Sequence, residues 1–130
     1  GSFNFVQELV TFAQDKPNFA VFQGDEQAMG AALLLGADGI VPGIGNLDPV
    51  RCVDLYNAAM DQDIKNTVRL QREINEMCKA FSLGSAYGAL KGALNTLNLI
   101  SPHAAEPQAL PTAAQLEEIK GILVEKGLLK

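Results

Sequence analysis

Two short stretches of this chain put glycines and carboxylates where a backbone turns around a ligand. One is Gln23-Gly24-Asp25-Glu26; the other runs from Pro42 through Gly43, Ile44, Gly45, Asn46 and Leu47 to Asp48. Glycine beside an acid suits two kinds of chemistry. The first is a phosphate cradle, in which glycine backbone and a helix N-terminus hold a nucleotide. The second is the mouth of a strand, where a small polar ligand meets backbone groups. A dinucleotide fingerprint needs GxGxxG straight after a strand, with the third glycine inside the next helix. Here Gly43 and Gly45 are followed by Asp48 in the third place. A carboxylate at that helix N-terminus repels the pyrophosphate that the motif binds, and the chain has no GK[ST] for a P-loop. The second kind of chemistry is the better fit: a sharp turn at the carboxyl end of a strand, beside a ligand that is not a phosphate.

The remaining reactive side chains are few. Cys52 and Cys78 have no CxxC spacing. Cys52 follows a helix start, and Cys78 falls in an apolar stripe with Ile74, Met77 and Phe81, so both read as buried structural thiols. The one histidine, His103, lies in the loop "SPHAAEPQALP". One histidine and two dispersed cysteines make no metal set, so no metal and no cofactor is expected.

The elements that must position the two stretches follow from periodicity. Ser2 caps a helix carrying Phe5, Val6, Leu9, Val10 and Ala13 at helical spacing, and Pro17-Asn18 breaks it. "FAVFQ", residues 19–23, is the nearly all-apolar run of a strand buried on both faces. Asp25 caps a helix to residue 35, with Gly36 as its left-handed terminus. "GIVPG", residues 39–43, is a second strand, and Asp48-Pro49 opens a helix to residue 60. Two strands joined by an acid-capped helix make a βαβ unit with a parallel sheet. Helices alone follow: residues 63–81, a Gly- and Ala-rich helix over 85–97 suited to close packing, and a last one with the capping-box spacing Thr112 to Gln115 and the stripe Leu116, Ile119, Leu123. Asp25 and Asp48 serve as caps and can still leave their loops facing a ligand.

The totals narrow the partners. The chain has 130 residues and a net charge of −5, with a pI near 4.7. That balance argues against nucleic acid or an anionic membrane. Lys65, Arg69, Arg72 and Lys79 alternate with acids as on a solvated helix face. The longest uncharged apolar run, "AMGAALLLGA", is too short to span a bilayer, and no secretory signal is evident. Cytoplasm is the expected compartment.

"FAVFQGDEQAMGAALLLGADGIVPGIGNLDP" resembles the last two barrel strands of the dihydrodipicolinate synthase / N-acetylneuraminate lyase family, whose members are Schiff-base aldolases and lyases that use or release pyruvate. The matching positions are Gly24-Asp25-Glu26, Gly36-Ala37-Asp38-Gly39-Ile40-Val41, Asn46 and Pro49. "VRCVDLYNAAMDQDIKNTVRLQREI" is similar to the family's eighth helix and first extra helix, and "PTAAQLEEIKGILVEKGLL" to its final helix. The resemblance implies an α/β fold: a partial (β/α)8 TIM barrel, its last two parallel strands with their helices in residues 1–61, then an all-helical extension over 62–130. A whole barrel takes about 250 residues and eight strands.

The family's Schiff-base lysine sits on the strand just before the segment that Gly1 to Phe5 resembles, so the resemblance places no catalytic residue in this chain. It implies substrate contacts at Gly24, Asp25, Glu26, Val41, Gly43 and Asn46, with pyruvate or a 2-keto acid as ligand in the complete barrel. "VPGIGN" departs from the family's "ISVTAN", which leaves the second substrate open among aspartate semialdehyde, a sialic acid or a 2-keto-3-deoxy sugar acid. Two functions follow. One is the C-terminal part of a pyruvate-dependent aldolase, lyase or synthase, inactive alone. The other is a non-catalytic half-barrel that docks on a partner chain. Either expects the N-terminal remainder or another copy as partner, with the family's tetramer as the model of assembly. An apolar sheet face from Phe19, Val21, Ile40 and Ile44 is expected to be the surface that such a partner covers.

Overall fold

A computed structural model describes residues 2–130; Gly1 and the place expected for the lysine strand before it lie outside the described residues. The chain divides into two compact units, one holding the residues up to Gly45 and Pro49–Asn75, the other Asn46–Asp48 and Glu76–Lys130.

In the first unit, helix α1 (Phe3–Ala13) starts where the Ser2 hydroxyl accepts the Phe5 amide. Its apolar stripe buries Val6 and Val10 in a small core with Val21, Ala32 and Ala37. Strands β1 (Phe22–Gln23) and β2 (Gly39–Ile40) pair in parallel, Phe22 opposite Gly39 and Gln23 opposite Ile40. The expected parallel βαβ unit is there, with strands shorter than the runs 19–23 and 39–43. Its hydrogen bonding still reaches one residue further at each end. The Val21 carbonyl accepts the Asp38 amide at 2.8 Å, and the Gln23 carbonyl accepts the Val41 amide at 2.9 Å. The Asp38 carboxylate takes the Val21 amide at 2.7 Å in place of a backbone partner. The next amide on that edge, that of Gly43, goes to a Glu26 carboxylate oxygen at 2.8 Å and not to a β1 carbonyl.

Between the strands, Asp25 caps a 3-10 turn (Glu26–Ala28) rather than an α-helix, and helix α2 (Met29–Leu34) follows directly. Gly36, at φ 102°, lets the Ala37 amide turn back to the Ala32 carbonyl at 2.9 Å. A second 3-10 turn (Gly43–Asn46) leads towards α3 (Pro49–Met60), and α4 (Ile64–Met77) comes next. Leu55 on α3 and Ile74 on α4 are fully buried.

The expected apolar face is corrected, at Val21 by the pleat and at Ile44 by its place in the 3-10 turn after β2. Val21 and Ile44 are buried within the chain, whereas Phe22 is 57% and Val41 67% exposed. Successive strand residues point to opposite sides. Val21 therefore goes to the helices with Gln23, and Phe22 shares the opposite side with Gly39, whose added Cβ would meet the Phe22 ring at 2.6 Å. An almost wholly apolar run carries no alternation, so the sequence could not tell which parity faces inwards.

In the second unit a 3-10 turn (Cys78–Ser82) takes over where α4 ends at Met77, so the helix is shorter than residues 63–81. Cys78 is half-buried on that turn, unlike the buried Cys52, which corrects its reading as a core thiol. Helix α5 (Ala86–Thr96) is capped by Ser85, and α6 (Ala113–Glu125) by the Thr112–Gln115 capping box. The Gly- and Ala-rich face of α5 does pack closely. A Cβ on Gly88 would fall 1.8 Å from the Ala109 carbonyl oxygen, and one on Gly92 would meet Pro111 and Leu116. The Ser85 hydroxyl donates to that same Ala109 carbonyl at 2.9 Å. Among the described residues no helix is long and apolar enough to cross a membrane.

Candidate functional site

The two strands end side by side, and each end opens into a turn made by the glycines and acids of the sequence. Gly24 is exposed just after β1, and the nearest atom to a Cβ placed on it would be the Val41 carbonyl oxygen, at 4.0 Å. Two stretches of backbone thus lie next to each other with open space above them. Val41, beyond β2, points its side chain to solvent on the same side as Phe22.

Asp25 is exposed. Its Oδ1 accepts the Gln27 amide at 3.0 Å, which is the cap expected of it, and its own amide donates to Gln23 Oε1 at 2.9 Å. Glu26 is only half exposed, and its Oε1 accepts the Gly43 amide at 2.8 Å. That bond brings Glu26 and Gly43, seventeen residues apart, together across the two loops. Asn46 ends the turn that Gly43 begins, and it clusters with the second unit. So Gly24, Asp25, Glu26, Val41 and Gly43 gather at the strand ends of the first unit.

Two polar residues escaped the sequence reading. Gln23, 1% exposed, lies under the Gly24–Asp25 turn, and its Nε2 has no hydrogen-bond partner among the described residues. A lone amide in an apolar strand was the available signal, since a buried polar group needs a reason. Gln71 lies on α4, in the segment read as a solvated face. Its Oε1 accepts the Gly30 amide at 2.6 Å and its Nε2 donates to the Glu26 carbonyl at 2.7 Å. Nothing local in the sequence marks it, because its partners lie 41 and 45 residues away.

The lysines of this unit are elsewhere. Lys16 follows α1, with its ammonium on the Phe12 carbonyl at 2.6 Å and over the Phe12 ring at 3.7 Å; Lys65 is exposed in the first turn of α4. In the second unit His103 is exposed in its loop. Among the described residues no group of three His, Cys, Asp or Glu side chains is placed to hold a metal ion. The groups with displaced titration are not among the strand-end residues. Asp63 is held below the usual carboxylate range by hydrogen bonds from the Asn66 amide and side chain. In the second unit Glu76 is lowered, and Lys126 raised, by the hydrogen bond between them. The strand ends of the first unit therefore present backbone groups and one exposed carboxylate, that of Asp25.

Comparison with known proteins places this geometry. The model of the dihydrodipicolinate synthetase family matches residues 1–126. The 4-hydroxy-tetrahydrodipicolinate synthase of Methanothrix thermoacetophila is 31% identical over 118 residues, covering 91% of this chain and 38% of that protein. The structure of dihydrodipicolinate synthase from Bacteroides thetaiotaomicron superposes with a TM-score of 0.90 at 29% identity, over 96% of this chain and 44% of that one. N-acetylneuraminate lyase from Fusobacterium nucleatum, solved in complex with pyruvate, shares the fold at a TM-score of 0.82 and 18% identity, over 96% of this chain and 42% of that one. The chain spans about two fifths of the length of these proteins.

Proposed function

The chain belongs to the dihydrodipicolinate synthetase family, and from that premise we propose that it supplies the closing part of a pyruvate-dependent aldolase, lyase or synthase. In this reading residues 1–61 are the last βα units of a (β/α)8 barrel and residues 62–130 its helical extension. Barrel enzymes of this architecture place their sites at the carboxyl ends of the strands. Gly24, Asp25, Glu26, Val41 and Gly43 are then the contribution of the first unit's two strand-end loops to the pocket of pyruvate or another 2-keto acid.

One observation carries the reading. The two strands present a bare side, with Phe22 and Val41 mostly exposed, directly below the open turn where Gly24 meets the Val41 carbonyl. In a closed barrel that side is the packed interior, filled by layers of side chains from other strands. By the family resemblance, the reacting amine of the complete barrel would be a lysine on the strand before the segment that Gly1 to Phe5 resembles. A Schiff-base reaction needs that amine unprotonated at the moment of attack and a group to shuttle protons during imine formation. This chain gives the backbone walls that orient the keto acid.

The test is complementation. The chain is mixed with the N-terminal remainder of its barrel, and pyruvate-dependent turnover of candidate aldehydes is measured against each part alone. Turnover in the mixture only is expected. A stable complex without turnover or pyruvate binding would replace this reading with that of a non-catalytic docking module.

A further inference from the structure

Glu26 has the position of a substrate ligand and a different occupation. Its carboxylate is spent on the Gly43 amide, 2.8 Å away, at the start of the turn that follows β2. The turn that carries Glu26 is itself held from outside the strand layer: Gln71 donates to the Glu26 carbonyl at 2.7 Å and accepts the Gly30 amide at 2.6 Å. Asn75 fixes the orientation of the Gln71 amide by accepting from the same Nε2 at 2.8 Å. A Cβ on Gly30 would meet Gln71 Oε1 at 3.2 Å and Thr67 at 3.1 Å, so the amide is seated against a backbone with no room to slip.

We propose that Glu26 and Gln71 are a positioning pair: Gln71 fixes the first strand-end turn, and Glu26 transmits that position to Gly43, so that the two loops keep one geometry towards the ligand. The pair rests on the reading of the strand ends as a keto-acid site, and it reassigns Glu26 from ligand contact to positioning residue. Each bond has a chemical reason. A carboxylate accepting a backbone N–H is a charge-assisted hydrogen bond. A glutamine offers both the acceptor and the donor that an unpaired amide and carbonyl at a turn require. The strand ladder sets Gly24 beside Val41 through the Val41 amide on the Gln23 carbonyl, and the pair extends that order to the turns beyond it, from a residue on α4 that touches neither Gly24 nor Gly43.

The experiment compares Glu26→Ala, Glu26→Gln, Gln71→Ala and the unaltered chain in the assembled barrel, by amide hydrogen exchange and by the affinity for pyruvate. Glu26→Gln keeps an Oε1 acceptor and is expected to retain Gly43 protection and to bind pyruvate within about twofold. Glu26→Ala is expected to lose Gly43 protection and weaken pyruvate binding roughly tenfold, the scale of one charge-assisted hydrogen bond. Gln71→Ala is expected to lower Gly43 protection too, although Gln71 does not touch Gly43. Gly43 protection indifferent to Gln71→Ala overturns the pair. So does a Glu26→Gln loss equal to that of Glu26→Ala, which is the mark of direct contact with ligand. Altered protection with unchanged affinity overturns the positioning role. A barrel that binds no pyruvate in any form sinks the functional reading instead, and the exchange data still decide whether the two loops are coupled.

Discussion

At the scale of single residues, hydrogen-bond occupation separates the candidates at the strand ends. Asp25 and Glu26 are neighbours of the same charge, yet one caps its own turn and the other ties down the opposite loop. A sequence shows both as acids after a glycine, and the family resemblance grouped them with Gly24, Val41, Gly43 and Asn46 as expected substrate contacts. It could not show that Gln71 holds the cluster, because that contact spans 45 residues. The Lys126–Glu76 pair makes a separate prediction, in the second unit. Glu76 is lowered in the fold from an ordinary value of 4.5, so its contribution to stability is present above that value and fades as pH falls through the folded one. Lys126 is raised from 10.5, so its part is present below 10.5 and fades as pH climbs through the folded value. Lys126→Met should return the Glu76 carboxyl to the ordinary range in an NMR titration, with an effect that shrinks in high salt because Glu76 is half exposed. An unmoved Glu76 titration would show that the pair does not persist in solution.

At the scale of elements, caps and turn residues were the most legible features. Ser2 and Thr112 each accept the helix amide that their sequence position assigns, and the structure adds Ser85 as the cap of α5. Thr112→Ala should cost about 1 kcal/mol in chemical denaturation of the second unit, and Thr112→Ser much less, since the hydroxyl remains. Gly88 was legible only as part of a small-residue helix; the structure adds its reason, the Ala109 carbonyl that a methyl would strike. Gly88→Ala should therefore destabilise by about 1–3 kcal/mol, the cost of overpacking, and should break the Ser85–Ala109 contact. A neutral Gly88→Ala would mean that the 101–111 loop lifts away freely. Strand parity was the element-level feature that stayed illegible. In "FAVFQ" every position but the last is apolar, and pattern gives direction only when polar residues alternate.

At the scale of the whole molecule, a two-stranded parallel sheet leaves backbone edges and the Phe22 and Val41 side chains without cover from the described residues. Isolated strand pairs are marginal, and open edges recruit partners. Phe22→Asp should abolish assembly with the N-terminal part of the barrel while leaving the helical content of this chain unchanged, because Phe22 is already 57% exposed. Loss of helix in that variant would place Phe22 in the core of the chain itself. The central claim is that this chain builds the wall of a pocket whose reacting amine lies on another strand. The most direct measurement is borohydride trapping with pyruvate, read by peptide mass spectrometry, on the 130-residue chain alone and on the barrel assembled with its N-terminal part. The account predicts no adduct on the chain alone and, in the assembled barrel, one reduced pyruvate on a lysine outside residues 1–130. A single adduct on Lys16, Lys65 or any other lysine of this chain would contradict it and make that lysine the catalytic candidate.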